Sequence, residues 1–215
     1  MAPRMFVLAA LVVAMFALPA SSQESAGAQD LARGRELFAL CTQCHLADGG
    51  GSRLALAPAI AGLPQWYVVA QLQKFRTGHR GQHFDDIAGM RMRPMSLALG
   101  SDADVTAVAA YVASLAPIAP PPEVEGGDAA RGQTLYAPCA ACHAPDGSGN
   151  QAVFGPPLTH VSDWYLLTQL VNFRAGVRGT KAGDTSGALM RPMSMTLADE
   201  QAMRDVIAYI TTLTN

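Results

Sequence analysis

The chain has 215 residues, half of them hydrophobic, and a formal charge of −2 at pH 7, enough for one large or two small domains with folded cores. With 15 basic against 17 acidic residues, it has neither the basic block of a nucleic-acid binder nor the acidic tail of a disordered segment. Four cysteines and ten methionines are left to carry soft-ligand chemistry, although most of the methionines are expected to fill core.

The chain opens with Arg4, an apolar run from Phe6 to Leu18 and the small-residue exit Pro19-Ala20-Ser21-Ser22. The run is short for a bilayer span and reads as a secretory signal, residues 1–22. Cleavage after Ala28, through Ala26-Gly27-Ala28, is the alternative site, and an uncleaved anchor the alternative reading. No later stretch is long and apolar enough to cross a membrane. Removing the signal takes Arg4 with it and leaves a charge of about −3.

A first domain is expected over residues 23–115. Asp30 is a fair N-cap for a helix through Leu31, Leu37 and Phe38 that runs into Cys41-Thr42-Gln43-Cys44-His45. Two cysteines three apart, followed at once by histidine, form the attachment pattern of a c-type haem. The thiols add across the porphyrin vinyl groups, and the adjacent histidine binds iron. A zinc site would need four ligands per ion, and a thioredoxin-like motif does not need the histidine.

A glycine-rich loop follows, then Pro58, and then a helix opened by Pro64 in its first turn, carrying Trp66, Tyr67, Leu72 and Phe75 and stopping at Gly78. A polar loop from His79 to Gly89 leads to Met90-Arg91-Met92-Arg93-Pro94-Met95, which reads as an extended approach steadied by Pro94. The last helix starts near Ser101, with Asp104 three residues on.

Residues 116–125, rich in proline, form a stiff extended linker. A second domain, residues 126–215, then repeats the first without a gap, 98 residues on. Cys41 maps to Cys139, Met92 to Met190, Arg33-Gly34 to Arg131-Gly132, Trp66-Tyr67 to Trp164-Tyr165, and Tyr111 to Tyr209. A period this long marks a duplicated domain rather than a solenoid. The expected fold is all-α: two tandem helical domains, each wrapped around a covalently bound haem, which supplies the core that so small a unit lacks.

Cys41, Cys44, Cys139 and Cys142 are therefore the attachment residues of two haem c groups, and His45 and His143 their axial iron ligands. The sixth iron position decides between electron transfer and ligand chemistry. Each repeat offers two methionines there: Met92 or Met95, and Met190 or Met193. Position alone does not choose between them. His79, His83 and His160 have no histidine at the paired positions and read as surface residues. Pro58 and Pro156 lie 14 residues after the second cysteine of each motif, placed to accept the histidine N–H through their carbonyls. Tyr67 and Tyr165 read as core, with polar tips that can meet haem propionates. Arg76, Arg80, Arg174 and Arg178 either offset propionate charge or are simply solvated.

The chain resembles the cytochrome c4 family, periplasmic dihaem cytochromes with two class I cytochrome c domains in tandem. The carriers are both haem motifs, Tyr67-Val68-Val69-Ala70-Gln71-Leu72 with Phe75 and Gly78, Tyr165 to Leu170 with Phe173 and Gly176, the loop Asp146-Gly147-Ser148-Gly149-Asn150, and Ala110-Tyr111 with Ala208-Tyr209. The start of the last helix departs from the family pattern, reading Leu99-Gly100-Ser101-Asp102 and Leu197-Ala198-Asp199-Glu200.

The resemblance implies His/Met-ligated haems, a pseudo-twofold relation of the domains and Met92 and Met190 as the ligands. It implies an electron carrier rather than an enzyme, working between an upstream reductase or dehydrogenase and a downstream terminal oxidase, with association at the membrane surface an added expectation. The alternatives are an electron-transfer subunit of a periplasmic dehydrogenase complex and a dihaem redox enzyme.

Overall fold

The computed structural model describes residues 20–213. The expected signal segment lies outside the described residues except for its last three. The first half consists of α1 (Ala20–Phe38), a single turn α2 (Thr42–His45), α3 (Gln65–Arg76), α4 (Ile87–Leu97) and α5 (Asp102–Ser114). The second half consists of α6 (Ala129–Tyr136), a single turn α7 (Ala140–His143), a 3-10 turn (Gln151–Val153), α8 (Asp163–Arg174), α9 (Thr185–Met195) and α10 (Glu200–Thr212). Among the described residues there is no β-strand, only the isolated bridges Ser52–Ala57 and Asn150–Gly155, themselves 98 residues apart. No described helix is long and apolar enough to cross a membrane.

In each half the first and last helices cross at a glycine. A Cβ on Gly34 would overlap the Ala107 carbonyl, and one on Gly132 the Asp205 carbonyl, so only glycine lets the two backbones touch. Behind the crossing, Phe38, Leu72, Val105, Val108 and Val112 form one buried cluster. Tyr136, Met203, Val206, Ile207 and Ile210 form the other. Phe38 leans on Tyr111 at 5.2 Å between ring centroids and Tyr136 on Tyr209 at 5.4 Å. The paired positions thus keep the same aromatic contact.

Two local expectations are corrected. Asp30 is not an N-cap, because α1 already begins at Ala20 and passes through it; residues 20–29 contain no proline to stop a helix. The methionine segment is not extended either. Both copies are helices, and Pro94 and Pro192 lie inside them. Each helix is started by a buried aspartate that sequence reading passed over. Asp86 accepts from Gly89 N and Asp184 from Gly187 N, both at 3.1 Å. Pro94 removes one helical hydrogen bond, but Met90, whose carbonyl is freed, sits on the exposed face, where water satisfies it. Ser101 caps α5 as expected, its hydroxyl accepting from Asp104 N at 3.1 Å.

The proline-rich segment between the halves takes no regular structure but is anchored. The buried Asp163 carboxylate accepts from Glu123 N at 2.7 Å and Val124 N at 2.8 Å. It also accepts from Trp164 N at the start of α8.

Candidate functional site

Each Cys-x-x-Cys-His string is one helical turn. The Cys41 carbonyl accepts from Cys44 N at 3.1 Å and His45 N at 2.8 Å; Cys139 does the same for Cys142 and His143, at 3.1 and 2.9 Å. The turn holds both cysteines and the histidine on one short stretch of helix, as the spacing dictates. None of the four cysteines is in a disulfide. The first of each pair is half-buried and the second exposed. Burial, with a smaller contribution from Cys44, pushes the Cys41 thiol up to about 11, and burial raises Cys139 as well.

His45 and His143 are buried. Burial lowers the pKa of each, with a weaker opposing pull from a carbonyl. That carbonyl belongs to Pro58 for His45, at 2.9 Å, and to Pro156 for His143, at 2.8 Å. A carbonyl only accepts, so Nδ1 carries the proton and Nε2 keeps its lone pair, the state in which imidazole binds a metal. The turn leaves each histidine through a left-handed residue, Leu46 at φ 63° and Ala144 at φ 65°.

The methionines sit on α4 and α9. Met92 is half-buried and packs on the same cluster as Cys41, while Met95 is 36% exposed. In the second half, Met190 and Met193 are both half-buried.

Of the four arginines left between propionate and solvent, Arg76 and Arg174 do neither. Arg76 donates to Ser101 O at 3.2 Å, and Arg174 to Leu197 O and Ala198 O at 2.8 and 2.7 Å, tying α3 and α8 to the starts of α5 and α10.

Arg80 and Arg178 are buried where the two halves meet, each stacked on a phenylalanine ring, Phe75 and Phe173. Arg80 donates to Gln71 Oε1 at 2.8 Å and across the interface to Tyr165 Oη at 3.1 Å. Arg178 donates to Gln169 Oε1 at 2.5 Å and across to Gln71 Oε1 at 3.4 Å. Arg80 also donates across to Gln169 Oε1 at 3.5 Å, the counterpart of the Arg178–Gln71 contact, so this pair of contacts is reciprocal while the Arg80–Tyr165 bond has no matching partner at Tyr67. Burial and then the like charge of Arg80 push Arg178 down to about 10, and burial pushes Tyr67 up to about 12.

The interface is less symmetric at its edge. Lys74 Nζ lies 2.6 Å from Asp184 Oδ1 and donates to Ser186 Oγ, whereas the paired positions hold Asn172 and Asp86. His79, expected at the surface, is half-buried and bridges to Ala182 O at 3.0 Å. His83 and His160 are half-buried too.

Four buried guanidinium nitrogens have no partner among the described residues: the Nε of Arg80, Arg178, Arg93 and Arg191. They form two repeat pairs, 98 residues apart. Buried donors on charged groups are costly unless an acceptor meets them, and the natural complement of a guanidinium is a carboxylate. Two haem c groups, each with a thioether attachment, a prepared imidazole and acidic propionates, fit this donor set. The signal for Arg93, Arg191, Asp86 and Asp184 was present in the repeat, since each pair holds the same residue at the same offset.

The comparisons with known proteins agree with this chemistry. The cytochrome c family profile matches residues 31–116 and 129–214. The chain is 34% identical over 168 residues to the thiosulfate dehydrogenase electron acceptor of Stutzerimonas stutzeri, covering 72% of each chain. It is 31% identical over 187 residues to cytochrome c4 of the same species, covering 80% of this chain and 84% of that one. Among solved structures, reduced cytochrome c4 from Pseudomonas stutzeri superposes with a TM-score of 0.66 at 28% identity, over 84% of this chain and 97% of that one.

Proposed function

The chain belongs to the cytochrome c family as a dihaem protein of the cytochrome c4 type, and from that premise we propose that it is a periplasmic carrier that takes electrons from a dehydrogenase or reductase and passes them towards a terminal oxidase. The observation that carries this reading is the pair of Cys-x-x-Cys-His turns, each with its imidazole held by a proline carbonyl.

When bound, the two haem c groups supply reversible one-electron chemistry at iron. The residues of the chain do the rest. Cys41, Cys44, Cys139 and Cys142 attach the rings, and His45 and His143 bind iron through Nε2. Pro58 and Pro156 keep each imidazole oriented and strengthen it as a ligand. Met92 and Met190 would hold the iron through their thioether sulfurs, and a methionine ligand there would favour electron transfer over substrate binding. Arg80 and Arg178, with Arg93 and Arg191, receive the propionates, and Tyr67 and Tyr165 line the same interface.

The methionine-to-ferric-iron charge-transfer band tests the ligand set. Met92→Ala removes about half of it and Met190→Ala the rest, as expected of independent axial ligands, while Met95→Ala and Met193→Ala leave it nearly intact. The reverse pattern would move both ligands by three residues. A native protein whose spectrum shifts readily with carbon monoxide or cyanide at one haem would be an enzyme rather than a carrier.

The likeness to a thiosulfate dehydrogenase electron acceptor favours a second reading, in which the upstream donor is such a dehydrogenase and the chain works as its electron-transfer subunit. Reduction by that enzyme with thiosulfate, compared with reduction by other periplasmic dehydrogenases, separates the two.

A further inference from the structure

On the N-terminal half, four large apolar side chains stand in solvent. Leu54 is 96% and Phe84 76% exposed, and Ile87 and Met90 lie on the outer face of α4. The paired positions in the second half hold Ala152, Ala182, Thr185 and Ala188. The second half builds the same fold with small side chains there, so folding does not require the large ones. Arg91 lies among them and donates from Nη1 to Ala55 O at 3.3 Å, which joins α4 to the loop bearing Leu54.

No described carboxylate pairs with Arg91, and the paired residue is Leu189. The second half has its own exposed apolar residues in this region, Val153, Phe154 and Leu189, but no cation among them. Exposed apolar clusters of this kind mark interaction sites, and phenylalanine, methionine and arginine are enriched where proteins meet. The inner face of α4 carries Met92, packed on the core, so a protein seated on the outer face would be one helix away from that residue.

We propose that this face of the N-terminal half is a docking surface for a protein redox partner that offers an apolar contact area and a carboxylate for Arg91. The inference rests on the electron-carrier reading and adds to it which half receives the partner. Charge complementarity selects the occupant: Asp85 lies at the Phe84 end beside His83, while the charge among Leu54, Ile87 and Met90 is the Arg91 guanidinium, whose specific acceptor is a carboxylate, and the surrounding apolar surface favours a protein contact over a purely electrostatic one.

Exchange of residues between the repeats tests it. One holoprotein variant carries Leu54→Ala, Phe84→Ala, Ile87→Thr and Met90→Ala, and so wears the second half's residues. The other carries Val153→Ala, Phe154→Leu and Leu189→Arg. Each is reduced by a purified thiosulfate dehydrogenase with thiosulfate, oxidised by a detergent-solubilised terminal oxidase and, as a control, reduced by ascorbate.

The first variant is expected to lose about tenfold in second-order rate with at least one protein probe, and the second variant less than about twofold with that same probe. The ascorbate rates and haem spectra of both stay as in the wild type. Arg91→Glu alone lowers the same rate and weakens its dependence on salt. Wild-type rates for the first variant and for Arg91→Glu, with every protein probe that the native protein engages, would overturn the docking surface and leave the carrier reading standing. A native protein that exchanges electrons with neither protein probe overturns both. Pelleting with phosphatidylglycerol–phosphatidylethanolamine vesicles, abolished by the first variant, would assign the surface to lipid instead.

Discussion

The two halves solve the same helix crossing with different carboxylates. In the first, Arg33 on α1 reaches Asp104 at 3.0 Å, with the arginine half in solvent. In the second, Arg131 on α6 donates to Asp205 from two nitrogens, at 2.9 and 3.1 Å. Asp205 also accepts from Asp128 N at 2.9 Å and from Gln201 at 2.9 Å, and it is buried. Arg33 and Arg131 are repeat partners; Asp104 and Asp205 are not, for their paired positions hold Ala202 and Ala107. A duplicated helix pair has therefore kept its cation and glycine and found its anion about one turn apart. Both arginines stand half in solvent; the first half meets its arginine with a partly buried carboxylate, the second with a buried one that four donors share.

The largest expected effect removes what the halves have in common. Gly132→Ala puts a Cβ into the Asp205 carbonyl and should destabilise the second domain by about 3 kcal/mol or more, in the upper range of overpacking. Gly34→Ala should do the same to the first domain. Thermal unfolding of the holoprotein, followed at the haem and by far-ultraviolet circular dichroism, checks it.

Asp205→Ala sharpens the contrast. It removes the acceptor of the Asp128 N–H, of Gln201 and of two Arg131 nitrogens, and should cost about 2 to 3 kcal/mol; Asp104→Ala, which loses an ion pair to a half-exposed arginine, should cost less. The pH dependence carries a definite sign. Arg131 above all holds the Asp205 carboxyl down to about 2, against an ordinary 3.8. A carboxylate with a depressed folded pKa contributes stability that is fully present above its unfolded pKa and is lost as pH falls through the folded value. Arg33 lowers the Asp104 carboxyl as well, so acid unfolding between about pH 4 and pH 2 should flatten in both variants, and more in Asp205→Asn than in Asp104→Asn. Equal slopes in the two variants would erase the distinction between the halves.

A further effect concerns the lopsided edge of the interface. Lys74 and Asp184 are only 13% and 1% exposed at their side chains, so Lys74→Ala leaves a buried carboxylate with only its cap. That should cost about 2 kcal/mol, chiefly in the docking of one half on the other. Asn172→Ala, at the paired position, should cost less. Hydrogen exchange at the interface-facing ends of α3 and α8 distinguishes loosened docking from unfolding of one half.

The haem-binding turn was legible residue by residue, because its geometry spans one helical turn and depends on nothing distant. The proline that holds each histidine was legible too, since the repeat printed it twice. The methionine helices were not. Pro94 and Pro192 read as stiffeners of an extended approach, and the aspartates that start the helices instead, Asp86 and Asp184, showed no local pattern strong enough to outweigh a proline. Arg80 and Arg178 were visible as a repeated pair, but whether they meet water or protein depends on the other half of the molecule.

The sequence by itself determined what is local or repeated: the covalent chemistry at the cysteines, the helix faces, the glycine at each crossing and the duplication at 98 residues. Only the tertiary structure decided what depends on two segments meeting. It brought Arg80 to Tyr165 and Arg178 to Gln71, paired Lys74 with Asp184 on one side alone, and chose Asp205 rather than a repeat-equivalent residue to hold Arg131. The physical reason is that a buried charge must find its partner wherever the fold places one. Duplication copies the charge and the backbone around it; it does not copy the surface that the second copy is pressed against.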